Sequence, residues 1–208
     1  MKFSLADHFG ATDRSLTTAI RDGKQVRILH ANRTFNATID DVWDALTSKE
    51  RIHRWMLTIH GDLHVGGRFQ FDGNAGGEVL ACDAPSHLAI TWEFGDSLTW
   101  VDVFLETVDG GTLFRLEHSA PIEDLTSPHY QQFGPGAVGI GWEMSLMGLG
   151  EHLANPDIVV REGDVASMDL SGYMRDSSDA WRDAAITAGE DAAVATAAAD
   201  RCLKAYVG

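Results

Sequence analysis

The chain has 208 residues with 31 acidic and 16 basic side chains, a formal charge of −15. That balance excludes the clustered Lys and Arg that nucleic-acid binding or adhesion to anionic lipid requires. Hydrophobic residues make up 44% of the sequence, enough to offset chain entropy, and the length suits one core of about 150 residues plus an appendage.

Cys82 and Cys202 lack CxxC spacing and a companion histidine, which reads as two reduced thiols rather than a disulfide or zinc site. The start, Met1 to His8, has no apolar run of signal-peptide length. No later stretch approaches the roughly 18 apolar residues of a membrane helix. A cytoplasmic protein without membrane insertion is the expectation.

In chain order, Leu16 to Ile20 and Val26 to Phe35 read as a hairpin, with Asp22-Gly23 as a turn in which both residues tolerate positive φ. Ile39, Val42, Trp43 and Leu46 then follow helical spacing, with Asp40 and Asp41 in the first turn where the helix dipole favours acids. Ser48 opens a second short helix as its N-cap, carrying Ile52 and Trp55.

From residue 60 to 119 the hydrophobic period becomes two. Strands are predicted at Arg68–Phe71, Glu78–Ala81, Leu88–Trp92, Leu98–Leu105 and Thr112–His118, and the short connections make an antiparallel meander. An irregular stretch with Pro121, Pro128 and Pro135 follows. Val138 to Leu153 is then helical, with Trp142, Leu146, Leu149 and Leu153 in one stripe and Asn155-Pro156 as its stop. A helix of about 16 residues is about 24 Å long, enough to cross a sheet.

Residues 157–208 read as a helical extension to a domain spanning 1–156. One helix carries Leu170, Met174, Ser177, Trp181, Ala185 and Ala188. Gly189 ends it, and Asp191 starts a second helix with Val194, Ala198, Cys202 and Tyr206. Small residues along the second helix suit packing on the sheet domain or a homodimer through these helices.

Taken together, Val42-Trp43-Asp44-Ala45-Leu46-Thr47, Trp55, Val65-Gly66-Gly67-Arg68-Phe69, Gly77-Glu78-Val79, Leu88 with Thr91-Trp92, Gly111-Thr112 with Leu116 and His118, and Gly141-Trp142 form an ordered set. It resembles the START-like superfamily, in the branch named for the activator of the heat-shock protein 90 ATPase, over roughly residues 25–155. The resemblance implies an α+β helix-grip fold, a curved antiparallel sheet around the long helix 138–153. It implies no particular reaction, so function must be argued from the site.

In such a fold the ligand pocket would lie between helix and sheet. The expected lining is Phe69, Phe71, Trp92, Val101, Val103, Phe114, Leu116, His118, Trp142 and Leu146, with His118 as its polar group. The first functional expectation is therefore a binding protein for a lipid-like or aromatic molecule. A protein-interaction module related to chaperone activators is the second. A cyclase- or hydrolase-type enzyme using His118 with Glu78 or Glu117 is the third, disfavoured because alternation turns Glu117 away from His118.

His53, His60 and His64 lie in loop or strand, where their spacing fixes no chelate geometry, so no metal is expected. Gly76-Gly77 and Gly110-Gly111 lack the helix and Lys of a phosphate loop, so no nucleotide cofactor is expected either. Trp100, of opposite parity to Val101 and Val103, is expected to be exposed.

Overall fold

The computed structural model describes residues 8, 10–157, 159 and 169–208. Strands β1 (Asp13–Arg21) and β2 (Lys24–Phe35) form the predicted hairpin, with Arg21 opposite Lys24. Asp22 (φ 50) and Gly23 (φ 76) both take the left-handed conformation, a type I′ turn whose twist matches that of the strands.

Helices α1 (Ile39–Thr47) and α2 (Lys49–Trp55) follow. The side chain of Thr38 caps α1 by accepting from the Asp41 amide; Ser48 occupies the cap position of α2 but makes no side-chain cap bond. Six more strands complete the sheet: β3 (Ile59–Gly61), β4 (Arg68–Phe71), β5 (Gly76–Asp83), β6 (His87–Phe94), β7 (Ser97–Val108) and β8 (Gly111–Pro121).

Every pairing is antiparallel, in the order β1-β2-β8-β7-β6-β5-β4-β3. Adjacent strands in the sequence pair as hairpins, except that β2 closes on β8, from Val26 opposite Pro121 to Phe35 opposite Thr112. That long-range ladder brings the N-terminal hairpin beside the meander.

The proline-containing stretch is more ordered than its composition suggests. A 3-10 helix spans Ile122–Thr126 and helix α3 spans Pro128–Phe133, with Ser127 as its side-chain cap and Pro128 in the first turn. Proline there starts a helix rather than breaking one, since the first-turn N–H has no partner to lose.

Helix α4 (Gly136–Ala154) lies on the concave side of the sheet. Its glycines set how closely neighbours approach: a Cβ on Gly139 would overlap the Trp181 indole, and one on Gly148 would meet the Trp55 carbonyl oxygen at 2.5 Å.

Helices α5 (Ser171–Thr187) and α6 (Ala192–Val207) form an antiparallel pair. Gly189 (φ 95) makes the turn, and the Asp191 carboxylate caps α6 by accepting from the Ala193 and Val194 amides. The stripe predicted on α5 faces its own chain, packing on β1 and α4, with Trp181 fully buried. The main core joins the concave face of β2, β7 and β8 to α1, α4 and α5.

Candidate functional site: an apolar pocket at one end of the sheet

A second, smaller core gathers Ile52 of α2, Ile59 of β3, Phe69 and Phe71 of β4 and Val79 of β5. Over it opens an apolar cavity of about 70 Å³, walled further by Leu46, Thr47, Leu63, Cys82, Leu88 and Ile90. The five buried residues form its floor and the six half-buried ones its rim.

A β-bulge shapes this wall. The β5–β6 register shifts between Val79 and Ala81, so Val79 pairs with Ile90 and Ala81 with Ala89. Leu80 is the extra residue and is exposed. Strict alternation would turn Cys82 away from Val79, but the additional residue returns it to the same face. The rim offers no free hydrogen-bond donor of strength, because the Thr47 hydroxyl donates to the Trp43 carbonyl at 2.8 Å. Only the Cys82 thiol adds polarisable character.

Of the ten residues expected to line one pocket, three lie at or beside this cavity. Phe69 and Phe71 line the cavity, and Trp92 packs on Phe71 with ring centroids 5.9 Å apart. Val101, Val103, Phe114, Leu116 and Leu146 belong instead to the main core. Trp92 also packs on Trp142, with centroids 5.0 Å apart, and together with Leu88 and Ile90 it joins the two clusters. Inward residues of β4 pack in the smaller cluster, those of β7 and β8 in the main core, and those of β6 against both.

His118 lies against Trp92 and Trp142, with both ring nitrogens engaged. Nδ1 accepts from the Trp142 indole N–H at 2.9 Å. Indole nitrogen only donates, so Nδ1 carries no proton and Nε2 must. Nε2–H then donates to Thr99 Oγ1 at 2.8 Å, and the Thr99 hydroxyl donates to the Trp92 carbonyl at 3.1 Å. Burial pushes the imidazole pKa down to about 4. His118 is thus a neutral bracket tying β6, β7, β8 and α4 together.

No carboxylate bonds to it among the described residues. Glu117 is on the opposite face, 3.7 Å from His30. The general acid/base pair that the third functional expectation needs is therefore not assembled.

Two of the three histidines weighed as metal ligands have separate partners. His53 meets the Thr58 hydroxyl at 3.0 Å and His60 meets Asp72 at 2.9 Å. Among the described residues no group of three or more His, Cys, Asp or Glu side chains is placed to hold a metal. Trp100 is half-buried rather than open, because the Arg21 guanidinium lies over its ring at 5.1 Å.

One buried polar cluster has no counterpart in the sequence reading. Glu143 of α4 is fully buried, and its carboxylate accepts two bonds from Arg14 of β1 at 2.7 and 2.5 Å. Ser177 donates to it at 2.8 Å and the Trp181 indole at 2.6 Å, both from α5. The arrangement clamps sheet edge, long helix and extension on one charge. A lone acid within an otherwise apolar helical stripe was the available signal, since carboxylates are buried only when paired.

A curved antiparallel sheet closed over a long helix defines a START-like, helix-grip α+β protein. The sequence profile of the family described as "Activator of Hsp90 ATPase homolog 1-like protein" matches residues 36–154, more than half of the chain, and the protein belongs to that family. Among solved structures it is similar to CalU16 from Micromonospora echinospora, at 29% identity over 86% of this chain. The match spans 99% of that protein in its crystal structure (TM-score 0.66) and 97% in its solution structure (TM-score 0.69). Protein MLL2253 from Mesorhizobium loti is 25% identical over 64% of this chain and all of its own, with TM-score 0.55. No curated protein matches the chain. Among the described residues no helix is long and apolar enough to cross a membrane.

Proposed function

We propose that the protein binds the apolar end of a small molecule in the cavity between α1–α2 and β3–β6. The observation that carries this reading is a half-open cavity whose lining is hydrocarbon apart from one capped hydroxyl and one thiol. Such a surface gains by excluding water and selects against a polar occupant, which would find no partner there.

Size narrows the occupant. At about 70 Å³ the cavity is about half the volume of an apolar cavity that accepts benzene, roughly 150 Å³. It therefore seats a chain tip or a branched alkyl group, with the polar remainder of the ligand outside the rim.

Methyl-detected NMR during titration with the saturated fatty acids from hexanoate to decanoate tests the proposal. Methyl signals of Ile52, Ile59, Val79, Leu88 and Ile90 should move together and saturate, and Ile90→Trp, which fills the mouth, should abolish the shifts. Shifts confined to Val101, Leu116 and Leu146, or none at any pocket methyl, refute this assignment of the site.

A further inference from the structure

We propose that β1 is the interface of a homodimer, pairing with β1 of a second copy in antiparallel register across a two-fold axis at Thr17. The starting observation is an open edge. β1 and β3 end the sheet, but β3 has only three residues and the Lys49 ammonium already binds its Gly61 carbonyl. β1 offers nine residues, Asp13–Arg21, uncharged between Ser15 and Ile20.

Hairpin geometry states which backbone groups are free. Arg21 and Lys24 flank a two-residue turn and therefore exchange both backbone hydrogen bonds. Odd-numbered residues of β1 thus bond β2, and the N–H and C=O groups of Arg14, Leu16, Thr18 and Ile20 point away from the sheet. Among the described residues these groups have no protein partner. The edge ends where the Arg14 guanidinium donates to the Thr12 carbonyl at 2.7 Å. A long edge with unpaired backbone groups is a template for another strand.

A second copy fits this edge in charge and in shape. Pairing centred on Thr17 sets Asp13 opposite Arg21 of the copy, Ser15 opposite Ala19, and Leu16 opposite Thr18, so no like charges face each other. Even-numbered side chains point to the concave side, as Arg14 does in reaching Glu143. Ile20 is on that side and is 69% exposed. In this register it stands opposite Arg14 of the copy, where a groove of about 410 Å³ runs between the strand edge and α5, lined on the helix side by Ala180, Ala184 and Ala188 together with Asp183 and Thr187. The exposed isoleucine and the groove occupy opposite ends of one strand, so a two-fold axis places each knob in the other copy's groove. This dimer leaves the apolar pocket untouched and does not depend on its occupant.

Sedimentation equilibrium on the full chain is expected to give twice the 22.6 kDa monomer mass. Ile20→Ala removes the knob, and Thr18→Pro removes an outward N–H that the monomer does not use; each should raise the dimer Kd at least tenfold while the circular dichroism of the folded chain is unchanged. Thr17→Cys tests the register even if Thr18→Pro fails to fold. The two residues face each other in a non-hydrogen-bonded pair, about 4.5 Å between Cα atoms, within disulfide range. Mild oxidation should crosslink Thr17→Cys and leave wild type and Ala19→Cys uncrosslinked. A wild-type chain that stays monomeric at every concentration reached, or a dimer that survives Ile20→Ala with no crosslink at Thr17→Cys, overturns the proposal.

Discussion

Replacing Glu143 by alanine should detach the helical extension from the sheet domain at a large cost in stability. The carboxylate is fully buried and receives two bonds from Arg14, one from Ser177 and one from Trp181. Removing it leaves an Arg14 side chain only 13% exposed without its counter-charge, and an indole N–H and a hydroxyl without acceptors. Breaking a buried ion pair from one side costs about 3–5 kcal/mol, a large part of the roughly 5–15 kcal/mol that stabilises a domain. Urea denaturation at pH 7 measures the loss, and amide exchange should show protection falling first in α5.

A double-mutant cycle separates charge from packing. Arg14→Met with Glu143→Met removes both partners and leaves no orphaned charge, so the pair should cost less than the sum of the single changes, by about 2 kcal/mol. If Glu143→Ala costs under about 1 kcal/mol, or the cycle is additive, the clamp does not hold the extension as argued.

Two further outcomes follow from neighbouring features. The folded state keeps His118 neutral down to about pH 4, whereas the unfolded chain takes up that proton near 6.5. The unfolded state then binds more protons between those values, and stability should fall by about 2 kcal/mol from pH 7 to pH 5 through this group alone. His118→Phe should flatten that part of the profile in paired denaturation curves, and an unchanged slope would contradict the neutral assignment. Gly139→Ala should cost about 1–3 kcal/mol and red-shift Trp181 fluorescence, because the new methyl overlaps that indole; a neutral substitution would mean that α5 can move away freely.

Local order was legible in the sequence wherever the pattern is local. The Asp22-Gly23 turn, the helix over Ile39–Thr47 and the Asp191 start of the last helix all appear where spacing and cap chemistry put them. Two short elements were not legible for reasons equally local. β3 is too short at three residues to show a period, and α3 begins with a proline that composition reads as a break.

The sequence by itself determined the α+β class and the inward parity of most strand residues, because hydrophobic period and turn chemistry act over a few neighbours. Which inward residues share a volume was decided only in three dimensions. Phe69 and Phe71 pack in a different cluster from Val101, Phe114 and Leu146, and a single bulge returns Cys82 to the pocket side. The same holds for charge. His118 found an indole and a threonine in place of an acid, and Glu143 found Arg14 across 129 positions of chain. Parity says which way a side chain points, and only the packing of distant segments says what it meets.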